Sequence, residues 1–288
     1  MLMQLNQRQR DRTHAGQPIR VGAVEYLNTK PLIENLLQLA PNIDLRLELP
    51  SKLADQLRVG DLDVALIPVV EYFRGDHYRI IPDVSIASHG PVLSVTLFSR
   101  VPWAEIRSVA MDVGSRTSAA LTQVLLAKRF GIRPQITQLP MDVAADDMST
   151  DAVLLIGDRA MQSCLPGFTY AYDLGQEWYE WTKLPFVFAV WAVRADVDLR
   201  GIETAFAKAR DDGLRQAGFI AQREGPRLHL DPGLCRRYLS NILCFDLSSQ
   251  ELAGLLLFQQ YTQELGLSPT GATIEFYHST DSVESGQR

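Results

Sequence analysis

The apolar run at 64–68, Val-Ala-Leu-Ile-Pro, is the feature that most constrains the fold. A short run without polar alternation is typical of a strand buried on both faces, as in a parallel sheet covered by helices. Strand-like and helical segments alternate before it, at 19–25 (strand), 31–39 (helix), 43–49 (strand) and 52–58 (helix, with Ser51 as cap). This β-α-β-α-β order predicts an α/β fold with a mainly parallel sheet.

A second block of strand-like and helical segments follows, and the chain ends in a helical region after residue 202. Strand-like segments at 94–100 and 186–192 would connect the two blocks. We therefore predict a discontinuous first lobe (19–97 with 192–280, including the helical tail), a second lobe (98–191), and disordered ends (1–18 and 281–288). A ligand site is expected in the cleft between the lobes, at the carboxyl ends of strands.

Charge and composition exclude several classes of function. The chain has 288 residues and a formal net charge of −6, which argues against a nucleic-acid surface, although a local pocket can still be positive. Cys164, Cys235 and Cys244 lack the spacing of a zinc site or redox pair, so a reduced, cytoplasmic setting is expected. The polar N-terminal segment does not resemble a secretory signal, and no apolar run is long enough to span a membrane.

Asn28 and Thr29 follow the first predicted strand, where a helix begins. Pro31 disfavours helical geometry at Lys30, so we predict Lys30 as the N-cap and Pro31 as the first helical residue. Asn28 is then not needed as the capping side chain, which makes it a candidate ligand contact. Asn and Thr are also common at strand ends and turns, and that alternative stays open.

The segment 114–118, Gly-Ser-Arg-Thr-Ser, is a second polar corner between a strand and a helix. Its hydroxyls and the free backbone N–H groups of a helix N-terminus favour an anion. The spacing is not that of a nucleotide-binding Walker loop, so a carboxylate or a single phosphate fits better. Ordinary capping by Ser115 or Ser118 is the alternative.

Two more corners are candidates. Ser94 opens a predicted strand after a Gly-Pro turn, where it either faces the cleft or is a plain strand-start serine. Gly157 and Asp158 follow a buried strand: the glycine would let a ligand approach the backbone, whereas Asp158 is most simply an N-cap. The histidines are scattered, without an HExxH pattern, and GxSxG and GxGxxG motifs are absent, so we predict no metal and no cofactor.

Six motifs, in order, resemble the chorismate dehydratases of the futalosine route to menaquinone: VGAVEYLNTKPL, DLDVALIPVVEY, GPVLSVTLFS, GSRTSAALTQVLL, AVLLIGDRAM and WTKLPFVFAVW. The resemblance covers residues 19 to 192 and continues more loosely into the tail. It implies a fold like the type II periplasmic binding proteins, with two α/β lobes around a central cleft. It also implies the reaction, a hydro-lyase step that converts chorismate to 3-[(1-carboxyvinyl)oxy]benzoate.

The resemblance assigns the catalytic asparagine to Asn28 and the catalytic serine to Ser94. It assigns the hydroxyl-rich anion site to Ser115, Thr117 and Ser118. The full set of predicted substrate contacts is Tyr26, Leu27, Ser115, Arg116, Thr117, Ser118, Gly157 and Asp158. The predicted partner is chorismate, with no nucleic acid and no membrane, and the oligomeric state, monomer or homodimer, is left open.

Two alternatives remain. The related 1,4-dihydroxy-6-naphthoate synthases carry a Ser-Pro-Cys-Pro-Asn-Asp type motif after the first strand, where this chain has Glu-Tyr-Leu-Asn-Thr-Lys at 25–30, so the dehydratase is favoured. The second alternative is a non-catalytic small-carboxylate binding protein of the same architecture. Such receptors work outside the cytoplasm, so the lack of a signal-like segment counts against it.

Overall fold

The computed structural model describes residues 17–75, 77–112, 114, 116–140, 143–162 and 165–278, and its strands form two mixed sheets. The first sheet contains β1 (Ile19–Val24), β2 (Ile43–Glu48), β3 (Val64–Pro68), β4 (Tyr78–Ser88), β10 (Phe186–Arg194) and β11 (Leu243–Cys244), in the order β11-β4-β10-β3-β1-β2. The second contains β5 (Val95–Ser99), β6 (Ser108–Asp112), β7 (Gln135–Leu139), β8 (Ala152–Ile156) and β9 (Tyr170–Asp173), in the order β7-β6-β8-β5-β9.

Helices surround both sheets. In chain order they are α1 (Lys30–Ile33), α2 (Leu36–Leu39), α3 (Pro50–Val59), α4 (Val69–Arg74), α5 (Arg116–Val124), α6 (Gly157–Gln162), α7 (Leu174–Thr182), α8 (Glu203–Arg215), α9 (Ala217–Glu224), α10 (Pro232–Arg237) and α11 (Ser249–Glu264). Wider π-helical turns, Leu125–Arg129 and Tyr238–Ile242, continue α5 and α10. No helix in the described part of the chain is both long and apolar enough to cross a membrane.

The predicted β-α-β-α-β beginning is confirmed, because β1 runs parallel to both β2 and β3. All residues of β3 are buried, as its continuous apolar run predicts. The strands β10 and β4 then join antiparallel, so the sheet is mixed. The main hydrophobic core includes Val21 and Leu66 of the first sheet and Leu97 of the second, so apolar packing is continuous between the sheets.

The chain passes from the first sheet to the second through residues 89–94 and returns through 183–185. All of β5 pairs within the second sheet, and all of β10 pairs within the first. The predicted boundaries at 97/98 and 191/192 would cut these strands. We keep the division into two lobes as a proposal, with its boundaries moved to the two connections. The predicted disordered ends lie outside the described residues, apart from Gln17 and Pro18.

Three predicted helix starts are wrong, and one predicted stop is confirmed. Asp158 is not an N-cap, because it lies inside α6, which begins at Gly157. Lys30 is already helical (φ −53°, ψ −43°) and Thr29 is the N-cap, because a 3-10 turn at Leu27–Thr29 leads straight into α1. The second helix begins at Pro50, so Ser51 lies inside it and does not cap it. Its predicted end is confirmed, because Gly60 adopts the left-handed conformation (φ 83°) that terminates helices.

Candidate active site

A cavity lies between the two sheets, and both contribute to its lining. The space inside it that a water-sized molecule can occupy is about 70 Å³, and the cavity opens to solvent. The parallel strands β1, β3 and β8 end here with their carboxyl ends, as expected for α/β ligand sites. The walls are mostly apolar, and the polar side chains among them are Tyr26, Asn28, Thr29, Ser94 and Ser118.

Asn28 occupies the 3-10 turn between β1 and α1 and lines the cavity. The Thr29 hydroxyl donates to Asn28 Oδ1 at 3.2 Å, which orients the amide. Asp158 supports the same turn from outside the lining, because its carboxylate accepts a hydrogen bond from the Leu27 N–H group. Burial is the main cause that raises the pKa of Asp158, and this hydrogen bond acts in the opposite direction. The Leu27 side chain is completely buried in the core.

Ser94 is buried at the edge of the cavity and is held from two sides. The Tyr238 hydroxyl donates to Ser94 Oγ at 2.8 Å, and the Ser94 carbonyl accepts from the Gly157 N–H group at 2.7 Å. Burial raises the pKa of Tyr238, and hydrogen bonds to Ser94 and Asn28 oppose that rise. Tyr238 therefore stays protonated at neutral pH and interacts with both predicted catalytic side chains.

The backbone that leads into Ser94 is strained, because Leu93 adopts a left-handed φ of 61°. The Asp173 carboxylate holds this turn: it accepts from the Val92 and Leu93 N–H groups at 2.9 and 2.7 Å, and from Gln176 N–H as the N-cap of α7. Burial raises the pKa of Asp173, and these N–H groups lower it. Asp173 thus fixes the conformation from which Ser94 projects.

The second polar corner is used differently. Arg116 forms ion pairs with Asp55 at 3.0 Å and Glu71 at 2.8 Å, and Thr117 Oγ1 accepts from the Val70 N–H group at 3.1 Å. These partners belong to α3 and α4, beside the first sheet, and neither Arg116 nor Thr117 lines the cavity. Ser118 does line it. Ser115 lies outside the described residues.

Gly157 brings β8 and α6 close to the ring of Tyr26. Its φ of 62° favours glycine, and an added Cβ would lie 3.3 Å from Tyr26 Cε2. The Tyr26 hydroxyl is buried and has no hydrogen-bond partner among the described residues. Burial raises the pKa of Tyr26 to about 12, so the hydroxyl remains a proton donor at neutral pH. A buried donor that lines a cavity without a partner is suited to a polar ligand atom.

The structure therefore brings together Tyr26, Asn28, Ser94, Ser118 and Gly157, and places Leu27, Arg116, Thr117 and Asp158 behind or beside them. Sequence reasoning missed Tyr238 and Asp173. The Asp173-Leu-Gly-Gln176 stretch carried a readable helix-cap signal, but its contact with the turn before Ser94 spans 80 residues of chain. No local pattern marked Tyr238, which lies 144 residues from Ser94.

Comparison with known proteins agrees with this architecture. The periplasmic aliphatic sulphonate-binding protein of Escherichia coli superposes with a TM-score of 0.62 at 14% identity, covering 92% of this chain and 93% of that one. Such similarity shows the fold alone, and it confirms the predicted α/β fold of the periplasmic-binding-protein type.

Two curated relatives are named chorismate dehydratase. The Thermus thermophilus protein is 32% identical over 85% of this chain and 95% of its own length. The Campylobacter jejuni protein is 26% identical over 86% of this chain and 99% of its own length. A family model described as menaquinone biosynthesis matches residues 19–264. This match spans most of the chain, and with the Thermus relative it shows that the chain belongs to the menaquinone biosynthesis family.

Proposed function

We propose that this protein is a chorismate dehydratase, a hydro-lyase that removes water from chorismate to give 3-[(1-carboxyvinyl)oxy]benzoate. The observation that carries the proposal is the 32% identity to the Thermus chorismate dehydratase along 95% of that relative's length. The cavity supports the proposal. Asn28 follows β1 of the first sheet and Ser94 precedes β5 of the second, yet both line the cavity. These are the two residues that the resemblance assigns to catalysis.

The reaction needs no oxidant or reductant. The C3–H bond of the cyclohexadiene ring breaks, its electron pair enters the ring, and the C4–O bond breaks. Hydroxide leaves with the removed proton as water, and the ring becomes aromatic. The driving force is large, so the protein's task is to select one path among several by holding the substrate in one orientation.

Removal of the C3 proton pushes negative charge through the diene onto the ring carboxylate. Hydrogen-bond donors placed around that carboxylate would stabilise this charge most strongly in the transition state. We assign this role to Ser118 at the N-terminal end of α5 and to the unpartnered hydroxyl of Tyr26. Both donors are neutral, and both lie among apolar walls where hydrogen bonds to a charged group are strong.

Asn28 and Ser94 line the same cavity. We propose that they hold the enolpyruvyl carboxylate over C3, where this carboxylate acts as the base, or assist the departing hydroxide. The amide, the hydroxyls and the backbone N–H groups around the cavity donate hydrogen bonds rather than remove protons at neutral pH. Such a lining suits a substrate that carries its own base.

We also propose a cytoplasmic setting, where biosynthetic intermediates such as chorismate are available. The free thiols of Cys235 and Cys244 are consistent with reducing conditions.

The test is to incubate the purified, EDTA-treated protein with chorismate and to follow products by chromatography with mass detection. A product lighter by one water with a benzoate spectrum is the expected result. If chorismate stays intact but raises the thermal midpoint, the protein is a binding protein and the catalytic roles fall. If neither product nor shift is seen, chorismate is the wrong ligand.

A further inference from the structure

A cluster of three potential metal ligands lies outside the active-site cavity. His89 lies in the bend after β4, Cys244 ends β11, and Glu251 lies in the first turn of α11. Sheet pairing brings the first two together, because Cys244 pairs with Ala87 and Leu243 with Ser88. A nitrogen of His89, the sulfur of Cys244 and a carboxylate oxygen of Glu251 all lie within 4.8 Å of one another. Cys244 and Glu251 are seven residues apart, but His89 lies 162 residues from Glu251, so the sequence showed no compact set of three ligands.

The distance from Cys244 to Glu251 is close to that of a tetrahedral site, whereas the distance from His89 to Glu251 is that of a short hydrogen bond. His89 Nε2 lies 2.5 Å from Glu251 Oε1, and Cys244 Sγ lies 3.8 Å from the same oxygen. A tetrahedral zinc ion holds nitrogen, oxygen and sulfur ligands about 3.4–3.6 Å apart, given its bond lengths. Loading an ion therefore requires His89 and Glu251 to separate by about one ångström. The His89 side chain is 43% exposed on a bend, so this movement is small for it.

Glu251 is already oriented for such a role. Its Oε2 atom accepts from Ser248 N–H at 2.9 Å and from Ser248 Oγ at 2.5 Å, as part of a capping box. Oε1 is thereby directed at His89 and Cys244. Hydrogen bonds to the second oxygen are a common way to fix a carboxylate that ligates a metal. Glu251 is only 1% exposed, and a cation would offset the cost of burying its charge.

We propose that His89, Cys244 and Glu251 form a binding site for a zinc-type divalent transition metal ion, with solvent on the exposed side of His89 as a fourth ligand. Imidazole, thiolate and carboxylate together suit borderline ions such as Zn²⁺ and Co²⁺ rather than Mg²⁺ or Ca²⁺. The ion would tie β4, β11 and α11 to the start of the 89–94 connection. Its role is structural, and it does not depend on the proposed dehydratase activity.

The experiment is a titration of the EDTA-treated full chain with Co²⁺, followed by absorption. The expected result is one equivalent bound, with a thiolate-to-cobalt charge-transfer band in the near ultraviolet and visible bands of tetrahedral cobalt, all abolished by Zn²⁺. Cys244→Ser removes the charge-transfer band. His89→Gln, at an exposed position, weakens Co²⁺ binding by more than about 10-fold. Loss of a residue that only hydrogen-bonds to a metal ligand already has an effect of that size.

The matched control is the Cys164→Ser/Cys235→Ser double variant, which leaves Cys244 as the sole cysteine and keeps the full signal. Circular dichroism in EDTA verifies that each variant is folded, and if Cys244→Ser is not, the His89→Gln titration decides. Absence of a thiolate band in the wild-type protein, a band that survives Cys244→Ser, or unchanged affinity in His89→Gln each overturns the proposal.

Discussion

The two polar corners of this protein look alike in sequence and differ in use. Each follows a buried strand, precedes a helix and offers hydroxyl or amide groups. The corner after β1 directs Tyr26 and Asn28 into the cavity, whereas Arg116 and Thr117 of the corner after β6 contact α3 and α4. What lies opposite a corner decides its role, and that is a property of the assembled fold. The first corner meets the space between the sheets, whereas the second meets helices through Arg116 and Thr117 and reaches the cavity only through Ser118.

Asn28→Ala gives the largest expected effect. Loss of a donor that acts on developing charge lowers the turnover number by about 10²–10³, while the half-buried position keeps the fold intact. Initial rates at saturating chorismate measure the turnover number, and thermal unfolding verifies that the fold is intact. The matched control is Asn42→Ala, an exposed asparagine outside the cavity lining. Near-normal turnover in Asn28→Ala would remove the first corner from catalysis.

Thr117→Val tests the second corner by its effect on stability. The buried N–H group of Val70 loses its acceptor, so the free energy of unfolding falls by about 1–3 kcal/mol. Turnover falls less than in Ser118→Ala, whose residue lines the cavity. Urea unfolding and initial rates of both variants check the contrast. The reverse pattern, with stability intact and turnover lost in Thr117→Val, would place substrate at Thr117.

Tyr238→Phe tests the support of Ser94 without opening a void, since the buried ring is retained. We expect turnover to fall about 10-fold, equivalent to one hydrogen bond of about 1.4 kcal/mol. In a Ser94→Ala background the same change should have a smaller effect, because the interaction with Ser94 is already lost and only the one with Asn28 remains. Rates of the four proteins in this double-mutant cycle decide it. Independent, multiplying losses would mean that Tyr238 acts apart from Ser94.

Much of the fold was readable because it is encoded locally. The continuous apolar run of β3 and the β-α-β-α-β order predicted the class, and β1 and β3 pair as expected. The sequence pattern did not predict β4 as a strand. It contains Pro82, and Asp83 has a φ of 65°, so its pairing with β10 is interrupted by register shifts. A strand so irregular loses the periodic pattern on which prediction depends.

The site was readable only where a motif carried it. Asn28, Ser94 and Ser118 belong to motifs of the resemblance, and all three line the cavity. Arg116 was predicted as a substrate contact because it belongs to the hydroxyl-rich segment 114–118 at a helix N-terminus, which favours an anion. Its actual partners, Asp55 and Glu71, lie 61 and 45 residues away. Such pairings follow from how the chain assembles, which local residue types do not reveal.

Arg116→Gln gives the smallest expected effect and completes the comparison. Its ion pair with Asp55 is partly exposed, and Glu71 keeps its ion pair with Arg74, so the loss of stability is about 0.2–1 kcal/mol and shrinks with added salt. The Arg116 guanidinium lowers the pKa of Asp55 below 3.8, its ordinary value. The stability that the ion pair between Arg116 and Asp55 contributes is therefore fully present above pH 3.8. It disappears as the pH falls through the lower pKa that Asp55 has in the folded protein.

Urea unfolding of Arg116→Gln at pH 7 and near pH 3, at low and high salt, measures these effects. The control is Arg58→Gln, because Arg58 pairs with the same Asp55 at a more exposed position. Turnover should fall less in Arg116→Gln than in Asn28→Ala, since the guanidinium faces carboxylates of the protein. A rise in KM for chorismate with unchanged stability would instead mean that Arg116 leaves these carboxylates to bind substrate, and the two corners would then share one function.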